Sequence, residues 1–113
     1  MSAAAVDELL AAYAVTAERW HELRADARAA NAVFDENARL AARLRESEAG
    51  RAGIARLMEH PDSGVRVLAA AQSLPHFPAA AVAVLEEMAA GIGLHAIAAA
   101  YALTEHRAGR FEL

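Results

Sequence analysis

Apolar residues along this chain recur at three- and four-residue steps, the spacing of one face of an α-helix, and nowhere alternate with period two over a strand's length. The first stripe runs through Val6, Leu9, Leu10, Tyr13, Ala17 and Trp20, with Leu23 or Arg24 at its end. Ser2 precedes it as an N-cap, Asp7 and Glu8 lie close to the positive end of the helix dipole, and the pattern ends near Leu23 to Ala25. Asp26 caps a second helix, whose inward face reads Ala30, Val33, Phe34, Asn37, Leu40, Ala41 and Leu44, with Asp35 and Arg39 one turn apart outside. It finishes before Gly50, near Arg45. The two segments predict an antiparallel hairpin over residues 1–46.

After Ser47 the elements shorten. Turn signals at Glu59 to Gly64, Leu74 to Pro78 and Ala90 to Gly93 divide the remainder into helices at about 48–59, 62–73, 79–89 and 94–107, followed by a short polar tail, 108–113. Pro61 and Pro78 lack an amide proton and suit a helix's first turn, so each marks a boundary. The expected fold is all-α: about six helices in stacked antiparallel hairpins within a single domain, the N-terminal hairpin at 1–46 and two shorter hairpins at 47–107. An offset of 29 residues lays Gly64 on Gly93, Val65 on Leu94, Leu68 on Ile97, Ala69-Ala70-Ala71 on Ala98-Ala99-Ala100 and Leu74 on Leu103. Three consecutive alanines let neighbouring helices approach on more than one side, as the inner helix of a stacked repeat requires.

The run His60-Pro61-Asp62-Ser63-Gly64-Val65-Arg66-Val67-Leu68-Ala69-Ala70-Ala71-Gln72-Ser73-Leu74 resembles the turn and second helix of a HEAT repeat, whose usual form is Asp-Pro-Asp-x-x-Val-Arg, a small pair and Leu. The whole layout, including Asn31 to Asp35 and Val82 to Glu87, is similar to a family of small bacterial HEAT-like proteins catalogued as a domain of unknown function. That resemblance implies an armadillo-type α-α superhelix and no established activity. In HEAT repeats the turn Asp and the helix Arg commonly form a ladder between repeats. Here His60 stands at the first Asp position and His95 replaces Arg in the second copy, so the ladder is interrupted.

Composition narrows the function classes. Alanine contributes 33 of 113 residues, which favours helix, and all 11 basic residues are Arg. Cysteine is absent, which excludes disulfides, thiolate zinc sites and a cysteine nucleophile. A net charge of −4 speaks against phosphate-backbone binding, so no nucleic-acid partner is expected. Nine acids against six Arg in residues 1–49 put most of that charge on the first hairpin. No stretch approaches the roughly 18 uncharged apolar residues of a membrane span. Acids stand where a secretory signal would carry positive charge, and a cytoplasmic location is expected.

Candidate chemistry is sparse. His21, His60, His76, His95 and His106 include no pair at i and i+4, and they read as helix-end or surface residues. Ser63-Gly64 lies in a Pro-containing turn, and Glu86-Glu87 point about 100 degrees apart on a helix, so neither forms a catalytic set. Trp20 and Tyr13 read as core aromatics, and Asn37 as a buried residue with a satisfied hydrogen bond.

The sequence therefore predicts a non-catalytic module, without cofactor or metal, that binds another protein. The candidate docking stripe is Arg66, Ala70 and Ser73 with its equivalents His95, Ala99 and Ala102; helices one and two or the tail are the alternative, as a cover over it. An immunity or antitoxin protein is one form of such a module, because small acidic helical proteins neutralise basic toxins electrostatically. The rival reading is a small-molecule binder or hydrolase with a pocket between the first hairpin and the repeats, edged by Trp20, His21 or His95.

Overall fold

Side-chain caps set where four helices begin. Ser2 accepts from the Ala5 N–H (3.1 Å), Asp26 from Ala29 (3.1 Å), Ser47 from Gly50 (3.0 Å) and Asp62 from Val65 (3.0 Å), each satisfying an amide that has no partner within its helix. The structure, a computed structural model, describes residues 1–113. It contains α1 (Ala3–Glu22), α2 (Ala27–Arg45), α3 (Glu48–Arg56), α4 (Ser63–Ser73), α5 (Pro78–Ala89) and α6 (Leu94–Arg107), with a 3₁₀ turn at Leu57–Glu59 and no strand. The helix predicted over 48–59 thus tightens in its last turn. Pro78 opens α5 without a side-chain cap, and α6 starts behind Gly93, whose φ of 95° lies in the left-handed region that favours glycine. None of the helices is long and apolar enough to cross a membrane.

Helices adjacent in the chain pack as hairpins: α1 on α2, α3 and its 3₁₀ turn on α4, α5 on α6. Helix α4 also touches α1, α5 and α6 and is the centre of the molecule. Its composition permits this. Gly64, Val65, Val67, Leu68, Ala69, Ala70 and Ser73 are all buried, which wraps contacts around most of the helix. Leu44, Ile54, Leu74 and Leu85 fill the space between the other helices. At the α2–α3 turn the chains approach so closely that a Cβ on Gly50 would lie 1.9 Å from the Leu44 carbonyl oxygen.

A polar lock fixes the first hairpin. Asn37 on α2 donates from Nδ2 to the Tyr13 carbonyl (3.1 Å) and to Thr16 Oγ1 (2.9 Å) on α1, and the Thr16 hydroxyl donates to the same carbonyl (2.9 Å). All three residues are buried. Buried polar groups favour one register when every alternative leaves them unpaired. Tyr13 differs, because its hydroxyl has no hydrogen-bond partner. Burial pushes the phenol well above its ordinary pKa, opposed weakly by Arg45.

Positions matched by the 29-residue offset differ in environment. Val65 and Leu68 are buried in α4, whereas Leu94 and Ile97 face solvent on α6. The cause is position: α4 has neighbours on all sides, and α6 is the outermost helix. Gly64 likewise sits against the Ala17 carbonyl and His21, where a Cβ would be 3.0 Å from the oxygen, while Gly93 meets nothing within 4 Å.

Candidate functional site

Stacking three hairpins leaves an apolar groove between the first and the last, with α4 beneath it. Helix α1 contributes Trp20; α2 contributes Phe34, Asn37 and Ala38; α4 contributes Val67, Leu68, Ala71 and Gln72; α6 contributes Ala98, Tyr101 and Ala102. Phe111, Glu112 and Leu113 fold back along the remaining edge. The enclosed volume is about 300 Å³. Helical spacing explains the convergence: Trp20 ends the apolar stripe of α1, and Phe34 on the stripe of α2 lies across from it, so the two rings meet 6.0 Å apart and tilted by 53°. Small residues on α4 and α6 keep the floor shallow enough to leave a space. The polar groups are few: Asn37, held by its bonds to α1; Gln72, which accepts from Arg45; and Glu112 at the rim.

The docking stripe expected on α4 and α6 is not a surface. Ala70, Ala99 and Ala102 are buried by the helices around them, and Ser73 is 3% exposed with a hydroxyl that has no partner. A partner cannot reach Ser73, and the expectation that it contributes to docking is corrected: the small residues that suggested an open face are what let α4 be enclosed. Arg66 is half-buried and occupied within the fold, its Nε donating to the Met58 carbonyl (3.2 Å) and its guanidinium 3.7 Å from Glu87. It staples the 3₁₀ turn and α5 to α4. His95 is not among the residues that line the groove, and its ring lies 4.1 Å from that of His21. Burial lowers the His95 pKa, and His21 adds to the effect, with Asp62 acting against it. Both Nδ1 atoms are buried without a partner.

Of the three residues expected at a pocket edge, the groove therefore includes Trp20 and neither His21 nor His95. His95 edges a separate shallow hollow of about 200 Å³ with Ser63, Arg66 and Glu87. A third hollow, about 350 Å³ between α3 and α5 near Met58 and Phe77, is larger but open to solvent and contains no aromatic cluster. His60 serves the α3–α4 turn, its Nδ1 accepting from the Asp62 N–H (3.0 Å) and its Nε2 lying 3.7 Å from Glu18.

Sequence reasoning placed Phe34 inside the hairpin and treated residues 108–113 as a polar tail. Phe34 is instead exposed at the groove, and Phe111 is half-buried against the core. A signal for the second was present: a glycine two residues past the end of α6, with Phe111 two residues beyond it, marks a helix that stops and turns back.

No protein-family model matches the chain. No curated protein matches it either. Among solved structures, the crystal structure of the protein RPA1889 from Rhodopseudomonas palustris CGA009 is similar, with a TM-score of 0.85 and 23% sequence identity over 96% of this chain and 93% of that one. At that identity the likeness shows a shared fold.

Proposed function

We propose that this protein is a non-catalytic binding module whose groove between the first and third hairpins receives an aromatic or aliphatic anchor from a segment of another protein. The observation that carries the reading is the groove itself, with Trp20, Phe34 and Tyr101 around a floor of Val67, Leu68 and Ala71. Binding hot spots are enriched in Trp and Tyr and concentrate in desolvated apolar recesses. Charge supports a basic partner: the first hairpin, residues 1–46, which forms one wall, carries eight acids against six Arg. The expected occupant is thus an amphipathic segment with an apolar anchor and basic flanks.

Among the polar lining residues Asn37, Gln72 and Glu112 there is no serine, threonine or histidine, and Glu112 at the rim is a lone carboxylate with no nucleophile beside it, which favours binding over hydrolysis. The HEAT-type reading belongs to the same proposal. Supporting it are the Asp62 cap, the Arg66 staple and the pairing of α3 with α4 and α5 with α6. Immunity or antitoxin action remains one version, in which the basic partner is a toxin.

Selection from a random peptide library against the purified protein tests this. Trp20 is the chain's single tryptophan and lines the groove, so its emission reports occupancy directly. Enriched peptides should share an aromatic or aliphatic anchor beside Arg or Lys, and should shift Trp20 emission saturably. Phe34→Ala, which removes a half-exposed ring from the rim, should weaken them about tenfold. No enrichment, or peptides indifferent to Phe34→Ala, would overturn the proposal. Stoichiometric uptake of a small apolar dye that no peptide displaces would favour the small-molecule reading, for which about 300 Å³ is sufficient.

A further inference from the structure

We infer that Arg110–Leu113 form a displaceable strap over the groove, with Gly109 as its hinge, so that the chain's own Phe111 competes with the partner's anchor; the inference rests on the reading of the groove as the binding site. The strap begins in a tight helix stop. The Gly109 N–H donates to the His106 carbonyl (3.1 Å) and the Arg110 N–H to the Glu105 carbonyl (2.8 Å), the paired bonds of a Schellman motif. This stop requires a left-handed residue, and Gly109 supplies it with φ 73°. The chain is thereby turned back, and Phe111 packs against the core along one edge of the groove.

Little else holds the strap. The Arg110 guanidinium grips Glu105 through two bonds, Nε to Oε2 (3.0 Å) and an Nη to Oε1 (3.2 Å). Arg110 is mostly exposed, however, and exposed ion pairs contribute little. Residues 111–113 make no backbone hydrogen bond to the body of the protein. Closure therefore depends chiefly on one aromatic side chain, itself only half-buried, packing along the apolar edge of the groove, with the exposed Leu113 beside it. An anchor of that kind is strong enough to populate the closed state and weak enough for a partner to displace. Phe111 also shows the chemistry that fits: an aromatic ring on an irregular segment, next to Arg110. The same combination, aromatic beside basic, is what the groove is proposed to select from a partner.

A closed fraction of about nine-tenths lowers apparent affinity about tenfold, because only the open molecule binds. Phe111→Ala in the full chain should thus raise the affinity of a groove-selected peptide about tenfold. It should also raise acrylamide quenching of Trp20 at least twofold. Glu105→Gln, which loosens the clamp but keeps the anchor, should give intermediate values for both. Unchanged quenching in Phe111→Ala overturns the strap as a cover. Increased quenching with unchanged peptide affinity overturns the competition. If no peptide binds any variant while quenching still rises in Phe111→Ala, the binding-site reading fails, and the competition fails with it. A thermal midpoint for Phe111→Ala within a few degrees of the parent shows that the quenching change comes from the strap and not from unfolding.

Discussion

Replacing Asn37 with alanine examines the contact that fixes α1 on α2. The substitution removes two hydrogen bonds, to the Tyr13 carbonyl and to Thr16 Oγ1, from a site that is 2% exposed. Each such bond contributes about 0.5–1.5 kcal/mol net. The lost amide also leaves a small cavity, adding on the order of 1 kcal/mol if the hairpin does not close around it. Thr16 keeps its own bond to Tyr13, so its hydroxyl proton is not orphaned, which limits the penalty. The expected loss is about 2–4 kcal/mol, or about 8–16 °C in the melting midpoint of a domain this size. Urea denaturation followed by circular dichroism measures it. Asn37→Leu separates the parts, restoring volume without the bonds, and should recover the cavity contribution alone. A cycle with Thr16→Val should show coupling of about 1 kcal/mol. Strictly additive single mutants, or a loss below 1 kcal/mol for Asn37→Ala, would refute the lock.

Tyr13→Phe removes a buried hydroxyl that has no partner and should raise stability by up to about 1 kcal/mol; a loss of more than that in the denaturation midpoint would mean the hydroxyl is satisfied. Gly50→Ala places a Cβ against the Leu44 carbonyl and should cost at least about 2 kcal/mol, whereas Gly91→Ala, whose nearest atom is 3.3 Å away, should cost less; equal denaturation midpoints would contradict the close approach. His95 has its pKa below the ordinary 6.5, first through burial and then through His21, so the unfolded chain takes up this proton at a higher pH than the folded one. Its share of stability is intact above that value and declines as pH falls through it toward the folded pKa; His95→Gln should flatten the fall in urea midpoint between pH 7.5 and 5.5, and an identical slope would refute the assignment.

The helix boundaries were legible because they depend on local chemistry. Ser2, Asp26, Ser47 and Asp62 cap helices wherever tertiary packing places them, and the structure starts four helices directly after them. Which faces remain open was not legible, because that depends on what packs on what. Ala70, Ala99 and Ser73 look like an accessible stripe on isolated helices, yet the same small side chains invite neighbours from several sides. Phe34 looks like core by its spacing on α2 but meets only the Trp20 ring and stays partly exposed at the groove. Asn37 was readable as a satisfied buried amide, although its partners on α1, Tyr13 and Thr16, depend on the register of two helices and not on either sequence alone.

The unequal treatment of helix starts has a consequence for how the molecule opens. The four N-terminal helices have their first amides secured by serine or aspartate, whereas α5 and α6 start at a proline and behind a glycine that offer no side-chain acceptor. Their N-terminal turns rely on docking alone, which makes the last hairpin the first cooperative unit to detach under mild denaturant. Amide protons of α6 should therefore exchange with deuterium ahead of those of α4, and an occupant wedged beside Tyr101 would slow them selectively.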